Sequence, residues 1–233
     1  YMKVVILCGG LGSRLSEETK KIPKPMVNVG KIPILIHIMN IYSKYGHNEF
    51  VLALGYKKNV IIDFFKKNKF KKWKIELVDT GYKTLTGKRL LKIKKYLSYE
   101  ENFLLTYGDG VSDVNLKNLI NFHNQSKKVA TVTAVRPPAR FGQLEIKKNL
   151  VTNFDEKNQI NTGWINGGYF VFNKKIFKYI PKLNTMLERD TMVNLTKKKQ
   201  ISAYKHSGFW QCMDNLRDKE FLNEIWKKNN NKW

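Results

Sequence analysis

The stretch Val4-Val5-Ile6-Leu7-Cys8-Gly9-Gly10-Leu11-Gly12-Ser13-Arg14 decides how the rest of the chain is read. Four apolar residues with β-branched character predict a buried parallel strand. The glycines that follow at once let backbone amides approach a ligand with no Cβ in the way. Ser13 adds a small hydroxyl, and Arg14 adds a guanidinium fork that matches phosphate oxygens. A loop of this kind at a strand's end is an anion cradle, and a polyphosphate is the ligand it suits. The order G-G-x-G-x-R is neither the dinucleotide fingerprint G-x-G-x-x-G nor the Walker loop G-x-x-x-x-G-K-[ST].

Working outward, Ile22-Pro23-Lys24-Pro25-Met26 is barred from regular helix, because each proline lacks an amide donor and restricts the residue before it. Lys24 is thereby held on a stiff segment, which suits placing one ammonium against a phosphate. Pro33 fits the first position of a helix running to Tyr45, with Leu35, Ile38, Met39 and Tyr42 at helical spacing. A strand over 50–54, a helix over 59–67, a strand over 73–78, a helix over 90–97 and a strand over 102–107 follow. Alternating strands and helices predict a doubly wound parallel sheet, whose ligands sit beyond the carboxyl ends of the strands. Gly108-Asp109-Gly110 falls at such an end, and Asp109 is well placed to hold Mg²⁺ against phosphates. Asp113 is a candidate N-cap for a helix reaching Gln125.

Strands are expected over 130–135, 142–146, 151–154, 167–172 and 201–204, with a helix over 187–197 between the last two. The loops between them carry Arg140-Phe141-Gly142, Glu156-Lys157 and Asn166-Gly167-Gly168. Gly208-Phe209-Trp210-Gln211-Cys212-Met213-Asp214 turns into the final helix. At this point Asp214 is open to two readings, a helix cap or a second metal ligand.

Composition narrows the classes. A chain of 233 residues buries a full core and is expected to be one catalytic domain, with residues 1–110 as a nucleotide-binding half and 111–233 as an acceptor-binding half. No apolar run approaches the roughly 18 residues that span a membrane, and the N-terminal residues lack the features of a signal peptide, so a cytoplasmic protein is expected. The net charge of +24 and 12% aromatic content raise a rival reading, a basic nucleic-acid-binding module. The lysines are spread through short runs rather than gathered on one helix, which favours solvated faces and no nucleic-acid partner. Two cysteines, Cys8 and Cys212, are too few for a disulfide framework; a redox lock between them is conceivable only if the fold brings them within range. The four histidines sit outside every motif and read as structural.

Taken in order, the segments Cys8–Arg14, Pro23–Met26, the 79–89 loop with Thr86-Gly87, Tyr107–Gly110, Arg140–Gly142, Asn166–Gly168 and Gly208–Gln211 with Asp214 resemble the sugar-phosphate nucleotidyltransferase family, most closely its glucose-1-phosphate cytidylyltransferase branch. The resemblance implies an α/β, Rossmann-like mixed sheet of the GT-A-like, nucleotide-diphospho-sugar transferase type. It implies Mg²⁺ as cofactor, CTP and a phosphorylated small molecule as partners, and a homo-oligomer serving capsule or surface polysaccharide biosynthesis. Residue by residue, Leu7, Gly9, Gly10, Gly12, Ser13, Arg14, Thr84, Arg89 and Gly108 fall on the nucleotide. Arg14, Lys24 and Asp109 are catalytic, and Asp109 and Asp214 hold the metal. Gly142, Glu156, Lys157 and Asn166 fall where the family holds the acceptor, with Lys157 answering its phosphate. Three features depart from the pattern. The stretch before Asp79 is short, Asn158 stands where proline is common, and Cys8 stands where alanine is usual. The first and second of these leave a non-sugar acceptor, phosphoglutamine, beside glucose 1-phosphate.

Overall fold

Alternation along the central strands builds the fold. The computed structural model describes residues 1–137, 143–155, 163–228 and 232–233, the side chains of 143–147 and 153–155 apart. Its elements run β1 (Val4–Cys8), α1 (Ser16–Thr19), β2 (Asn28–Val29), β3 (Ile32–Pro33), α2 (Ile34–Ser43), β4 (Glu49–Leu54), α3 (Lys58–Lys67) and β5 (Lys74–Asp79). Then come α4 (Thr86–Lys92), β6 (Asn102–Tyr107), β7 (Gly110–Ser112), α5 (Leu116–Ser126), β8 (Ala130–Val135), β9 (Gln143–Lys147) and β10 (Leu150–Asp155). The chain continues through β11 (Ile165–Asn173), α6 (Val193–Lys197), β12 (Ile201–His206), β13 (Trp210–Cys212) and α7 (Leu216–Lys227).

Among the described residues, seven strands form the main sheet in the order β12-β8-β11-β6-β1-β4-β5. β1 is buried from end to end and pairs in parallel with β4 and β6. Its odd and even residues feed different cores. Val4, Ile6 and Cys8 join Leu104, Phe50 and Leu52 under α2, α5 and α7, while Val5 and Leu7 join Leu90, Phe103, Leu105 and Phe170 under α4 and α6. Each buried aliphatic side chain of β1 contributes about 1.5–3 kcal/mol, so the strand that ends in the glycine loop is firmly anchored.

The sheet is mixed rather than wholly parallel. β11 lies antiparallel to both β6 and β8, because it begins beside the last residue of β8, Ile165 opposite Val135, and must run back. Its register shifts between Asn166 and Phe170, a bulge carried by Gly167 and Gly168, the latter at φ 78°.

Several local expectations are corrected. α5 is capped by Asn115, whose Oδ1 accepts from the Asn118 amide at 3.0 Å, and Asp113 instead meets His206 Nε2 at 2.9 Å. α7 is capped by Asn215 in a capping box with Asp218, which removes the cap reading of Asp214. Pro33 ends β3 and precedes the first helical residue of α2. α4 starts at Thr86, ahead of the expected Leu90, because Gly87 donates its amide to the Thr185 carbonyl at 3.0 Å and leaves no room for a Cβ there.

Candidate active site

The carboxyl ends of β1 and β6 and the loop after β5 open on one cleft of about 910 Å³. Leu7, Gly9, Gly10, Gly12, Ser13, Arg14, Lys24, Thr84, Arg89, Gly108, Asp109, Asn166 and Asp214 all line it. Gly142, Glu156 and Lys157 lie outside the described residues.

The glycines of the first loop have three different reasons. At Gly12, φ is 66°, and a Cβ would meet Thr19 Cγ2 at 2.8 Å. Gly10 faces open space, where a ligand can approach. Gly9 makes room for Arg89, whose Cζ would lie 2.2 Å from a Cβ there. The buried Arg89 guanidinium is engaged by the protein itself. Its Nη1 donates to Leu54 O and Gly81 O, each at 2.9 Å, and to Thr80 Oγ1; its Nη2 donates to Gly9 O at 2.8 Å and Tyr82 O at 3.3 Å. Arg89 thus bolts the glycine loop to the loop after β5. Thr84 donates its hydroxyl to the Thr80 carbonyl at 2.6 Å within that loop.

The charged centre is assembled from three separate segments. Pro25 packs on Gly108, where a Cβ would come within 2.8 Å of Pro25 Cγ, and this contact sets Lys24 beside Asp109. β7 and β13 pair antiparallel, Cys212 opposite Gly110, and the Met213 amide donates to the Asp109 carbonyl at 2.8 Å, which brings Asp214 alongside. Lys24 Nζ then donates to Asp109 Oδ2 and to Asp214 Oδ1, both at 2.7 Å. Arg14 Nη1 reaches Asp214 Oδ2 at 2.9 Å from a side chain that is 73% exposed. Burial works to lower the Lys24 pKa, but Asp109 and Asp214 outweigh it and raise the ammonium above its ordinary value. Burial likewise works to raise the Asp214 carboxyl, yet Lys24 and Arg14 hold it below the usual carboxylate range. Two carboxylates already converging on one cation, with only oxygen donors, fit Mg²⁺, which takes one or two carboxylates and leaves its other positions to substrate oxygens.

Two aromatic residues of the quoted motifs also line the cleft, and one of them is held by a residue outside those motifs. Tyr107, two positions before Asp109, donates its hydroxyl to Glu188 Oε1 at 2.6 Å, and Trp210 Nε1 donates to Gly167 O at 2.7 Å. An aromatic residue on the strand that delivers Asp109 was visible in the sequence; nothing in the sequence marks Glu188 as its partner. Both cysteines are free. Burial above all, with Asp214 and Asp109 adding to it, pushes the Cys212 thiol up to about 12, and Cys8 is raised as well, so neither is a reactive thiolate at neutral pH.

This arrangement has relatives. Residues 3–218 match the profile of the nucleotidyl transferase family, and the chain belongs to that family and is a nucleotidyltransferase. The chain is 42% identical to the glucose-1-phosphate cytidylyltransferase of Salmonella typhimurium, across 100% of this chain and 98% of that one. It is 41% identical to a probable glucose-1-phosphate cytidylyltransferase of Bacillus subtilis, across 100% and 99%. Both alignments run over 253 positions, so each relative has at least 20 positions with no counterpart in the 233 residues here. Among solved structures, HddC from Yersinia pseudotuberculosis superposes with a TM-score of 0.76 at 26% identity, covering 97% of this chain and 100% of that one. A UDP-glucose pyrophosphorylase shares the fold with a TM-score of 0.75 at 17% identity, covering 98% and 99%.

Proposed function

We propose that this chain transfers CMP from CTP to glucose 1-phosphate in an Mg²⁺-dependent reaction that yields CDP-glucose and pyrophosphate. The observation that carries the choice of substrates is the identity of 41–42% to glucose-1-phosphate cytidylyltransferases along the whole chain. The site's chemistry agrees with it. An oxygen of the acceptor phosphate attacks the α-phosphorus, the bond to the bridging oxygen of the β-phosphate breaks, and pyrophosphate leaves with the electron pair. The attacking oxygen is already anionic, so no side chain need remove a proton, and catalysis rests on positioning and charge stabilisation.

Arg14 and Lys24 place positive charge where phosphate oxygens enter. The open face at Gly10 admits a polyphosphate against the backbone, while Arg89 keeps the two loops around it in register. Asp109 and Asp214 are the residues to hold Mg²⁺, which when bound neutralises phosphate oxygens as a Lewis acid. A second reading, transfer of CMP to a non-sugar phosphate such as phosphoglutamine, is favoured by the missing positions noted above, which remove material available to an acceptor pocket. Pyrophosphate release with Mg²⁺ tests both readings, using CTP, UTP, dTTP and GTP against glucose 1-phosphate and phosphoglutamine. Turnover with CTP and glucose 1-phosphate is the expected result. Turnover with phosphoglutamine alone overturns the sugar acceptor, and turnover with a nucleotide other than CTP alone overturns the cytidylyl assignment.

A further inference from the structure

A polar chain crosses the cleft from the nucleotide side to the acceptor side, and none of its links is used by the chemistry above. Thr86 opens α4, directly after the loop that Arg89 fastens. Its hydroxyl donates to Glu188 Oε2 at 2.7 Å and accepts from the Leu187 amide at 2.8 Å. The other oxygen of Glu188 accepts from Tyr107 Oη at 2.6 Å. Tyr107 Oη in turn accepts from Asn166 Nδ2 at 3.2 Å, and Asn166 Oδ1 accepts from the Gly168 amide at 2.8 Å.

Donor and acceptor counts fix the direction of this chain. A carboxylate only accepts, so both hydroxyl protons point at Glu188. Tyr107 has one proton to give, and with it committed the phenol oxygen is left to accept from Asn166. The ring is fixed as well. A Cβ at Gly168 would lie 2.7 Å from Tyr107 Cδ2, so the bulge in β11 exists in a form that seats this ring, and Phe170 meets it edge-on at 5.8 Å. The Asn166 side chain is therefore turned one way. One amide hydrogen and one carbonyl lone pair are engaged, and the remaining hydrogen and lone pair belong to an exposed residue lining the cleft.

We propose that Glu188 is a positioning residue for the acceptor: through Tyr107 it orients the Asn166 amide toward the acceptor's hydroxyl groups, and through Thr86 it ties that orientation to the loop on the nucleotide side. The proposal rests on reading Asn166 as an acceptor residue. It assigns a specificity role to two side chains that touch neither the metal ligands nor Lys24, and it predicts that they act as one unit.

Steady-state kinetics on Tyr107→Phe, Glu188→Gln and the double variant test it, with the acceptor that the wild-type protein turns over. Tyr107→Phe keeps the ring and removes only the hydroxyl, which keeps the test open if Glu188→Gln fails to fold. Each single variant is expected to raise KM for the acceptor about 10-fold, the size of one lost hydrogen bond that leaves a partner unpaired. KM for CTP should stay within about twofold and kcat within about threefold. The double variant should be no worse than the poorer single variant, because groups acting in one network are not additive. Acceptor KM values unchanged in a wild-type-active background overturn the proposal, as do equal rises in both KM values or a double variant equal to the product of the singles. If the wild-type protein turns over no phosphorylated acceptor with CTP, the functional reading itself has failed, and that result is seen before any variant is made.

Discussion

Replacing Lys24 with Met keeps the length of the side chain and removes its charge from a place where two carboxylates meet. The Lys24 and Asp214 side chains are 10% and 13% exposed and Asp109 is 27% exposed, so the ammonium lies among groups that water screens poorly. Breaking a buried ion pair by removing one partner costs about 3–5 kcal/mol. The partial exposure of Asp109, and Arg14 remaining on Asp214, bring the figure here to about 2–3 kcal/mol. For a chain of this size that is a fall in Tm of about 5–10 °C without added metal. If Asp109 and Asp214 hold the metal as proposed, Lys24 competes with it for both carboxylates, and Mg²⁺ should raise the Tm of Lys24→Met by more than it raises that of the wild-type protein. Turnover should nonetheless fall by about 10²–10³, the cost of losing one charge-stabilising group near a reacting phosphate. Differential scanning fluorimetry with and without Mg²⁺, beside pyrophosphate release under saturating CTP, reads all three quantities. A variant with its Tm within 2 °C of wild type and its rate within about threefold would refute the reasoning, since Lys24 would then be neither holding the carboxylates nor stabilising charge.

Other consequences are as specific. Asp109→Asn should lower Mg²⁺-dependent turnover by at least about 10² and shift its Mg²⁺ titration to higher concentration, while an unchanged titration would remove Asp109 from the metal site. Gly12→Ala forces a φ of 66° on a residue with a Cβ 2.8 Å from Thr19 Cγ2, so a loss of about 1–2 kcal/mol and a raised KM for CTP are expected; a KM equal to wild type would show that the loop conformation does not matter. Acid should destabilise the fold before any carboxylate titrates. His37 donates from Nε2 to Val29 O at 2.9 Å and accepts at Nδ1 from Trp233 Nε1 at 3.1 Å, so it is neutral, and burial lowers its pKa, as it does for His47 and His123. The unfolded chain takes up these protons first, so stability is present above about pH 6.5 and falls below it, by up to about 1.4 kcal/mol per pH unit for each histidine. A Tm that is flat between pH 7 and 5 would contradict this.

Much of the frame was legible in the sequence because the hydrophobic pattern and the glycine punctuation agree. Val4–Cys8, Asn102–Tyr107 and Ala130–Val135 are short, apolar and bounded by turn residues, and each is a strand of the main sheet. The direction of β11 was not legible, since a buried strand reads the same whether its neighbours run with it or against it. Helix starts were misjudged where a polar side chain two residues away was the better cap, as with Asn115 against Asp113. At the site, the basic groups and carboxylates singled out from the sequence line one cleft, and Lys24, Asp109 and Asp214 come together in it. The partners of Arg89 were hidden because four of its five acceptors are main-chain carbonyls, those of Gly9, Leu54, Gly81 and Tyr82, and a carbonyl leaves no mark in a sequence. Glu188 was hidden for the related reason that it lies 81 residues from Tyr107 along the chain.

The attachment of Asp214 differs in kind from that of Asp109. Asp109 lies two residues beyond β6, in the middle of the seven-stranded sheet, and leads into β7, whereas Asp214 lies two residues beyond β13, three residues paired with the three of β7 in a separate two-stranded ribbon. A ribbon of that length opens at a fraction of the free energy needed to unfold the sheet, and its amides are set to exchange with solvent well before those of β1 or β6. The site can therefore come apart while the molecule around it remains folded. Warming should abolish activity some degrees below the unfolding transition, cooling should restore it, and a divalent cation held by both carboxylates should narrow the gap between the two temperatures.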